Sequence, residues 1–383
     1  MEKRDLALYI HIPYCVRKCD YCDFLSGPAG SDEQAYYVRV LQKEIRSYET
    51  LSSIYKVRTV FFGGGTPSIL EDRHITRIVE QLFSSYDIDD NAEISIECNP
   101  GTLTVDKLKT YRSLGINRIS MGVQSANDDE LRCLGRIHTW SEFKENYILA
   151  RRLGFDNINV DLMSGIPGQT MDSWQETLNR TVELEPDHIS AYSLMIEKGT
   201  PFYERYSTPE GRRYLPGERD DRLMYHYTKT YLAERGYERY EISNYAKPGF
   251  ECRHNLVYWR LGDYLGFGLG ASSYLDGRRF SNTRDKDEYW ESAKSAYQRF
   301  RALEKQPEKD TMEEYMFLGL RTMEGVRSSA FEEKFRKSMT DIYGETIDDL
   351  SQGGYLTWED GVLRLTDRGI DVSNRVLSRF LLD

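Results

Sequence analysis

No apolar run in this chain approaches the roughly 20 residues that span a bilayer. Leu6–Ile10, the first such run, is too short for the core of a secretory leader. Positive charge is also in deficit. Lys and Arg number 51 against 62 Asp and Glu, a formal net charge of -11, which argues against a surface that tracks a phosphate backbone. Cysteine is sparse, and Cys98, Cys133 and Cys252 are scattered, so no disulfide framework is suggested. There is no internal repeat and no low-complexity tract. These absences lead to the expectation of a cytoplasmic protein with no nucleic-acid partner. Its 383 residues are enough for a large core and more than one domain.

What is present starts with the other three cysteines. Cys15, Cys19 and Cys22 form a C-x3-C-x2-C triplet directly after a short apolar run. Three thiolates so close can wrap one metal centre. A filled structural zinc site normally takes four protein ligands, and a [4Fe–4S] cluster has four irons to ligate. With three Cys one iron stays open, and an open iron can bind a second molecule. Tyr14, Tyr21 and Phe24 interleave with the triplet. The 28 Tyr of the chain suit amphipathic walls around a ligand, although partly exposed structural Tyr is the plain alternative.

Strand-like and helix-like stretches alternate six times up to Met195. Strands are expected at Leu6–His11, Val57–Phe62, Glu93–Glu97, Arg118–Val123, Asn157–Met163 and His188–Met195. The first helix, Asp32–Thr50, is expected to be capped by Ser31 or Asp32. Such alternation predicts parallel strands with crossover helices and the chemistry at the strands' C-terminal ends. Six units fall short of the usual eight, so the expected fold is α/β: a partial (β/α)6 barrel in residues 1–200. Residues 201–304 read as an extension of the barrel. Residues 305–383 read as a winged-helix-like module, with a hairpin turning at Asp360-Gly361 and a final helix from about Asp367 to Leu382. This module has 11 Lys and Arg against 16 Asp and Glu, which favours an interaction or capping role over DNA binding.

The second strand ends in Gly63-Gly64-Gly65-Thr66-Pro67. Such glycines let backbone approach a ligand and expose its N–H and C=O groups; alone, a tight strand–helix turn is an equal reading. P-loop spacing of Lys and Ser/Thr is absent. The Cys triplet after one strand and G-G-G-T-P after the next resemble the radical S-adenosylmethionine (SAM) proteins. More narrowly, they resemble the branch that contains oxygen-independent coproporphyrinogen III oxidase and the HemW-type heme chaperones. The resemblance runs through Ser120–Ser125 and Asn159–Gln169 into the C-terminal module. It implies a [4Fe–4S] cluster on Cys15, Cys19 and Cys22 whose open iron takes the amino and carboxylate groups of SAM. Reduction of that cluster would cleave SAM to a 5′-deoxyadenosyl radical. It further implies SAM contacts from Tyr9, Tyr21, Gly64, Gly65, Thr66, Glu97, Gln124, Arg136 and Asp161. Each of these, taken singly, also reads as a hydrogen-bonded loop residue, Arg136 most of all. His11 and His138 read as structural.

Two departures separate the chain from the oxidase. Phe24 stands where the oxidase has a further Cys, and the chain starts only fourteen residues before Cys15. Both are as in the HemW type, as is H-N-x-x-Y-W in His254–Trp259. Imidazole can ligate heme iron, and Tyr or Trp can stack on a porphyrin, so His254, Tyr258 and Trp259 are expected heme contacts. Spacing alone favours a loop histidine at His254. Cys252-Arg253-His254 is no C-x-x-C-H attachment motif, so a thioether link is not indicated. The resemblance therefore implies a heme chaperone that passes heme to acceptor proteins, with homodimerisation or peripheral membrane contact during transfer. The alternative is the oxidative decarboxylation of coproporphyrinogen III. Radical modification of RNA is disfavoured by the acidic balance.

Overall fold

The computed structural model describes residues 3–382. Six parallel strands form its centre: β1 (Arg4–Ile12), β2 (Tyr55–Gly64), β3 (Ile88–Cys98), β4 (Arg118–Gln124), β5 (Ile158–Ser164) and β6 (His188–Ser193). Five short strands extend the sheet: β7 (Glu238–Arg239), β8 (Asn244–Ala246), β9 (Tyr264–Phe267), β10 (Ser272–Leu275) and β11 (Arg278–Ser281). The order across the eleven strands is β11-β10-β9-β1-β2-β3-β4-β5-β6-β8-β7, with both ends free. The barrel is therefore partial. β9 runs parallel to β1, whereas β8 runs antiparallel to β6.

Side-chain alternation explains why the sheet curls around a cavity. Leu8, Ile10, Val60, Phe62, Ile96, Ile119, Val160 and Ile189 point one way, into the apolar layer beneath the helices. Their neighbours Tyr9, Phe61, Glu97, Arg118, Ser120, Asn159, Asp161 and Ser190 point the other way and line the interior. The barrel is thus apolar outside its strands and polar within.

A second apolar cluster builds the C-terminal module from helices Glu308–Gly319, Ser328–Phe335 and Met339–Gln352 and a three-stranded sheet. Its strands are β12 (Val326–Arg327), β13 (Leu356–Glu359) and β14 (Val362–Leu365), in the order β12-β14-β13. At the β13–β14 turn, Asp360 and Gly361 take φ of 51° and 73°, the backbone that a two-residue primed turn needs. Ion pairs Arg260–Glu324 at 2.8 Å and Lys229–Asp367 at 2.6 Å join this module to the barrel. No helix among the described residues is long and apolar enough to cross a membrane.

Two expectations need correction. The first helix, Ser31–Ser47, is capped by Gly30 without any side-chain hydrogen bond. Ser31 lies inside the helix, and Asp32 and Glu33 in its first turn complement the positive end of the helix dipole. The single final helix is broken at Val372, whose φ of -125° and ψ of 30° are not helical. The break lets Ile370 on one side and Val376, Leu377 and Phe380 on the other reach the same core.

One buried carboxylate ties the first helix to the sheet extension. Glu44 accepts hydrogen bonds from the Tyr289 hydroxyl at 2.6 Å, the Asn282 amide at 2.6 Å and the Gly268 N–H at 2.9 Å. Burial pushes its pKa from 4.5 up to about 7, against those three donors. A raised acid keeps its proton in the fold after the unfolded chain has lost it. The Glu44 contribution to stability should therefore fall as pH rises from about 4.5 to about 7, by roughly 3 kcal/mol. Glu44→Gln is expected to flatten that slope. Urea denaturation at pH 5 and pH 8 checks it, and an equal loss in wild type and variant would reject the assignment.

Candidate cofactor site

The mouth of the barrel holds a cavity of about 340 Å³. The loop after β1 brings Cys15, Cys19 and Cys22 to its wall together with Tyr21, Phe24 and Ser26. Backbone bonds shape that loop: Cys15 N–H to Gly27 O at 3.1 Å and Cys22 N–H to Cys19 O at 3.2 Å. All six cysteines are free thiols. Among the described residues, no three Cys, His, Asp or Glu side chains stand ready-clustered as metal ligands. The triplet nevertheless faces one space. Burial raises the pKa of the Cys15 and Cys22 thiols; a hydrogen bond from Ser26 at Cys15, one from the Phe24 backbone at Cys22, and the charge of Lys18 at both act against it. The Arg136 guanidinium lies 3.7 Å from the Cys19 sulfur and donates toward it.

The glycine loop after β2 passes beneath the Cys loop. Its glycines serve contact with β1 more than contact with a ligand. A Cβ on Gly64 would meet the His11 ring at 2.7 Å, and one on Gly65 would meet the Tyr14 carbonyl oxygen at 2.5 Å. The expectation that this loop offers its N–H groups is corrected. Gly64 N–H donates to Glu97 at 3.1 Å, Gly65 N–H to Ile12 O at 2.9 Å and Thr66 N–H to Tyr14 O at 2.7 Å. Gly64, Gly65 and Thr66 still line the cavity.

Glu97, Gln124, Arg136 and Asp161 complete the wall. Gln124 sits where the β4–β5 register shifts, with a φ of 75°. A non-glycine residue in that region is strained, and here its amide oxygen accepts the Tyr192 hydroxyl at 3.0 Å. Arg136 occupies the loop after helix Asp128–Cys133 and donates to Asn99 at 3.0 Å and to the Gly122 carbonyl. Asp161 accepts from Asn159 at 2.7 Å and Ser120 at 3.3 Å. Burial beside Asp161 pushes the Glu97 carboxyl up to about 8, so Glu97 keeps its proton at neutral pH.

Below the mouth lies a second chamber of about 250 Å³, which shares Glu97, Ser120, Asp161, Ser190 and Asn255 with the first. Tyr9 lines this lower chamber and not the mouth. Its floor is helix Arg253–Trp259, the H-N-x-x-Y-W segment. Glu93 caps that helix, accepting the N–H groups of Arg253 and His254 at 3.1 Å each. His254 is buried, with Nδ1 bonded to Thr59 Oγ1 at 2.8 Å and Nε2 bonded to the Tyr258 hydroxyl at 2.7 Å. Burial and the charge of Arg118 hold its pKa down at about 3. His254 and Tyr258 therefore work as a structural plug, and ligating iron would cost His254 one of these bonds. Trp259 faces away from both cavities. Its ring packs under Arg321 of the C-terminal module, 4.8 Å from the guanidinium. His11 bonds Tyr9 and the Leu25 carbonyl through its two ring nitrogens, as a structural histidine does.

Arg118, Asn159, Ser190, Tyr192 and Asn255 also line these cavities, and none of them was expected as a contact. Strand parity would have found four of them: Arg118 shares a face with Ser120, Asn159 with Asp161, and Ser190 with Tyr192.

Residues 9–181 match the Radical SAM superfamily, and residues 306–372 match the HemN C-terminal domain. The chain is 36% identical over its whole length to "Heme chaperone HemW" of Lactococcus lactis, covering 99% of that protein. It is 35% identical to "Heme chaperone HemW" of Escherichia coli, over 99% of this chain and 98% of that one. The fold is similar to that of coproporphyrinogen III oxidase (HemN) from Escherichia coli, with a TM-score of 0.84 at 24% identity over 99% of this chain and 90% of that one.

Removing the His254 imidazole leaves Thr59 and Tyr258 unpaired around a new void. His254→Ala is therefore expected to cost roughly 2–4 kcal/mol of stability, measured by urea denaturation. A loss under about 0.5 kcal/mol would contradict the structural role.

Proposed function

Because the chain belongs to the HemW family of radical SAM proteins, we propose that it is a heme chaperone. It would bind heme, carry a [4Fe–4S] cluster with SAM, and deliver heme to acceptor proteins. The observation that carries this reading is the end-to-end similarity to proteins named heme chaperones. The geometry adds two supports.

The first is the fit of the mouth to a cluster and SAM. Three sulfurs on one loop face a polar cavity, with a guanidinium beside Cys19. Cys15, Cys19 and Cys22 would hold the cluster, which when bound supplies an electron to the sulfonium of SAM. Gly64, Gly65 and Thr66 would border the amino-acid end of SAM and Tyr21 its adenine. Glu97, Gln124, Arg136 and Asp161 would hold its polar groups. Glu97 gains by ionising beside a cation.

The second support is apolar surface at the mouth. Val16 and Phe24 on the Cys loop are 58% and 64% exposed, and Ile137 is 61% exposed. Val16 and Ile137 line one small groove with Cys19 and Arg136. Large exposed apolar side chains gathered at a site mark a contact surface. They suit a flat apolar cargo such as heme, or the acceptor protein that takes it. This surface replaces the buried His254 and the remote Trp259 as the heme-contacting element. The reading places the protein in the cytoplasm and includes a homodimer or peripheral membrane contact during transfer.

Anaerobically reconstituted protein titrated with heme is expected to give a saturable Soret shift. Phe24→Ser with Val16→Ser should weaken it by about tenfold, or about 1.4 kcal/mol. No shift in the wild type, or turnover of coproporphyrinogen III to protoporphyrinogen, would overturn the reading. SAM affinity should rise with pH up to about 8 and then level, because binding must first expel the proton that Glu97 carries. Equilibrium binding across pH 6–9 checks this, and Glu97→Gln should remove the dependence.

A further inference from the structure

The lower chamber contains a cation that none of its neighbours fully engages. Arg118 stands on β4 with 2% of its surface exposed, and its Nε has no hydrogen-bond partner. The side chain lines the chamber. The carboxylates near it are committed elsewhere. Glu93 accepts the N–H groups that open helix Arg253–Trp259, and Asp161 accepts Ser120 and Asn159. A guanidinium taken out of water costs several kcal/mol unless charge and hydrogen bonds compensate it. Here the neighbouring charges compensate in part, and the hydrogen-bonding demand at Nε is left open.

We propose that this lower chamber is a carboxylate-binding site, in which the Arg118 guanidinium receives the acid and Ser190 and Asn255 flank it. Arginine presents a planar fork of donors that matches the two oxygens of a carboxylate. The volume, about 250 Å³, lies below the roughly 300 Å³ at which sites for drug-sized ligands begin. It therefore admits a short acid, or the carboxylate arm of a larger ligand, and not the body of one. The chamber shares Tyr9 and Tyr258 with a third cavity of about 270 Å³ between β1, β9 and β10. Glu97, protonated at neutral pH, adds little repulsion to an incoming anion. The assignment of a carboxylate stands on these residues alone; the choice of a porphyrin propionate as its source rests on the heme reading.

Two probes separate the sources. Propionate, measured by thermal shift on the full-length protein, tests the site itself. Heme against heme dimethyl ester, measured by Soret titration of the cluster-reconstituted protein, tests for the propionate arm. The expected result is stabilisation by propionate in the wild type, loss of that effect in Arg118→Gln, and partial retention in Arg118→Lys. If the arm is the natural ligand, heme binds about tenfold more tightly than its ester, and Arg118→Gln erases the difference. Stabilisation by propionate without an acid–ester preference assigns a small free acid instead. A protein that binds no heme but responds to propionate through Arg118 sinks the heme reading and leaves this one standing. Should Arg118→Gln fail to fold, Asn255→Leu is read in its place, with the same loss expected. Absence of both effects in the wild type, or effects unchanged in these variants, overturns the proposal.

Discussion

A parallel sheet whose inward face is polar must find partners for every group on that face, and the rest of this structure follows from that requirement. Apolar residues on β1–β6 hold the helices outside. Inside, Glu93, Arg118, Asn159, Asp161 and His188 cannot be left bare, since an unpaired buried polar group costs more than a hydrogen bond gains. The chain meets the demand with a plug. Helix Arg253–Trp259 inserts its first turn over Glu93, and His254 bridges Thr59 and Tyr258. Asn159 joins the network through His188 at 2.5 Å and Ser120 at 2.8 Å. What the plug leaves unfilled is the space available to ligands.

The plug also orders the electrostatics of the interior. Burial favours the neutral form of each acid and each histidine. Glu97 is raised to about 8, Asp161 is raised, and His254 is lowered to about 3. Arg118 and Arg136 cannot neutralise themselves in this way. The interior therefore carries fixed positive charge at Arg118 on the wall of the lower chamber and at Arg136 beside Cys19, and Arg17 and Lys18 add to it at the mouth. The buried acids ionise when a cation arrives. At the mouth, where Arg136 stands near Glu97 and Asp161, a zwitterionic ligand is better matched than either pure ion.

The fold was legible in the sequence because parallel strands alternating with helices leave a strong periodic signal. All six central strands fall within a few residues of their expected bounds, and so does the hairpin at Asp360-Gly361. The Cys loop, Gly64–Thr66, Glu97, Gln124 and Asp161 were legible as motifs at strand ends, and the structure brings them around one cavity. Arg136 could not be placed because it lies in a loop between helices, and only the tertiary fold carries it to Cys19. The H-N-x-x-Y-W segment misled for a related reason. A motif names residues without their burial. His254 and Tyr258 are bonded to each other in the floor of the lower chamber, Trp259 is an outward contact, and Asn255 is the member of the motif that also lines the mouth. The break at Val372 was invisible because both halves of that segment have helical patterns.

The floor and the mouth are not independent. The Phe61 ring stacks on His254 with centroids 5.2 Å apart and on Tyr9 at 6.3 Å. The Tyr9 hydroxyl bonds His11 at 3.1 Å, and His11 bonds the Leu25 carbonyl at 3.1 Å, three residues beyond Cys22. A continuous run of packed rings and hydrogen bonds thus links the plug helix to the end of the Cys loop. Cores packed at crystal-like density resist small displacements, so this run fixes the height of the Cys loop above the barrel as long as the plug is seated. Gly64 and Gly65 add to this from the other side, because their contacts with His11 and Tyr14 leave no room for a side chain. A loop of three thiols is short and could adopt many shapes in isolation. What selects one shape is the interior beneath it, and the residues that do so, Tyr9, His11, Phe61 and His254, all lie outside the Cys loop itself.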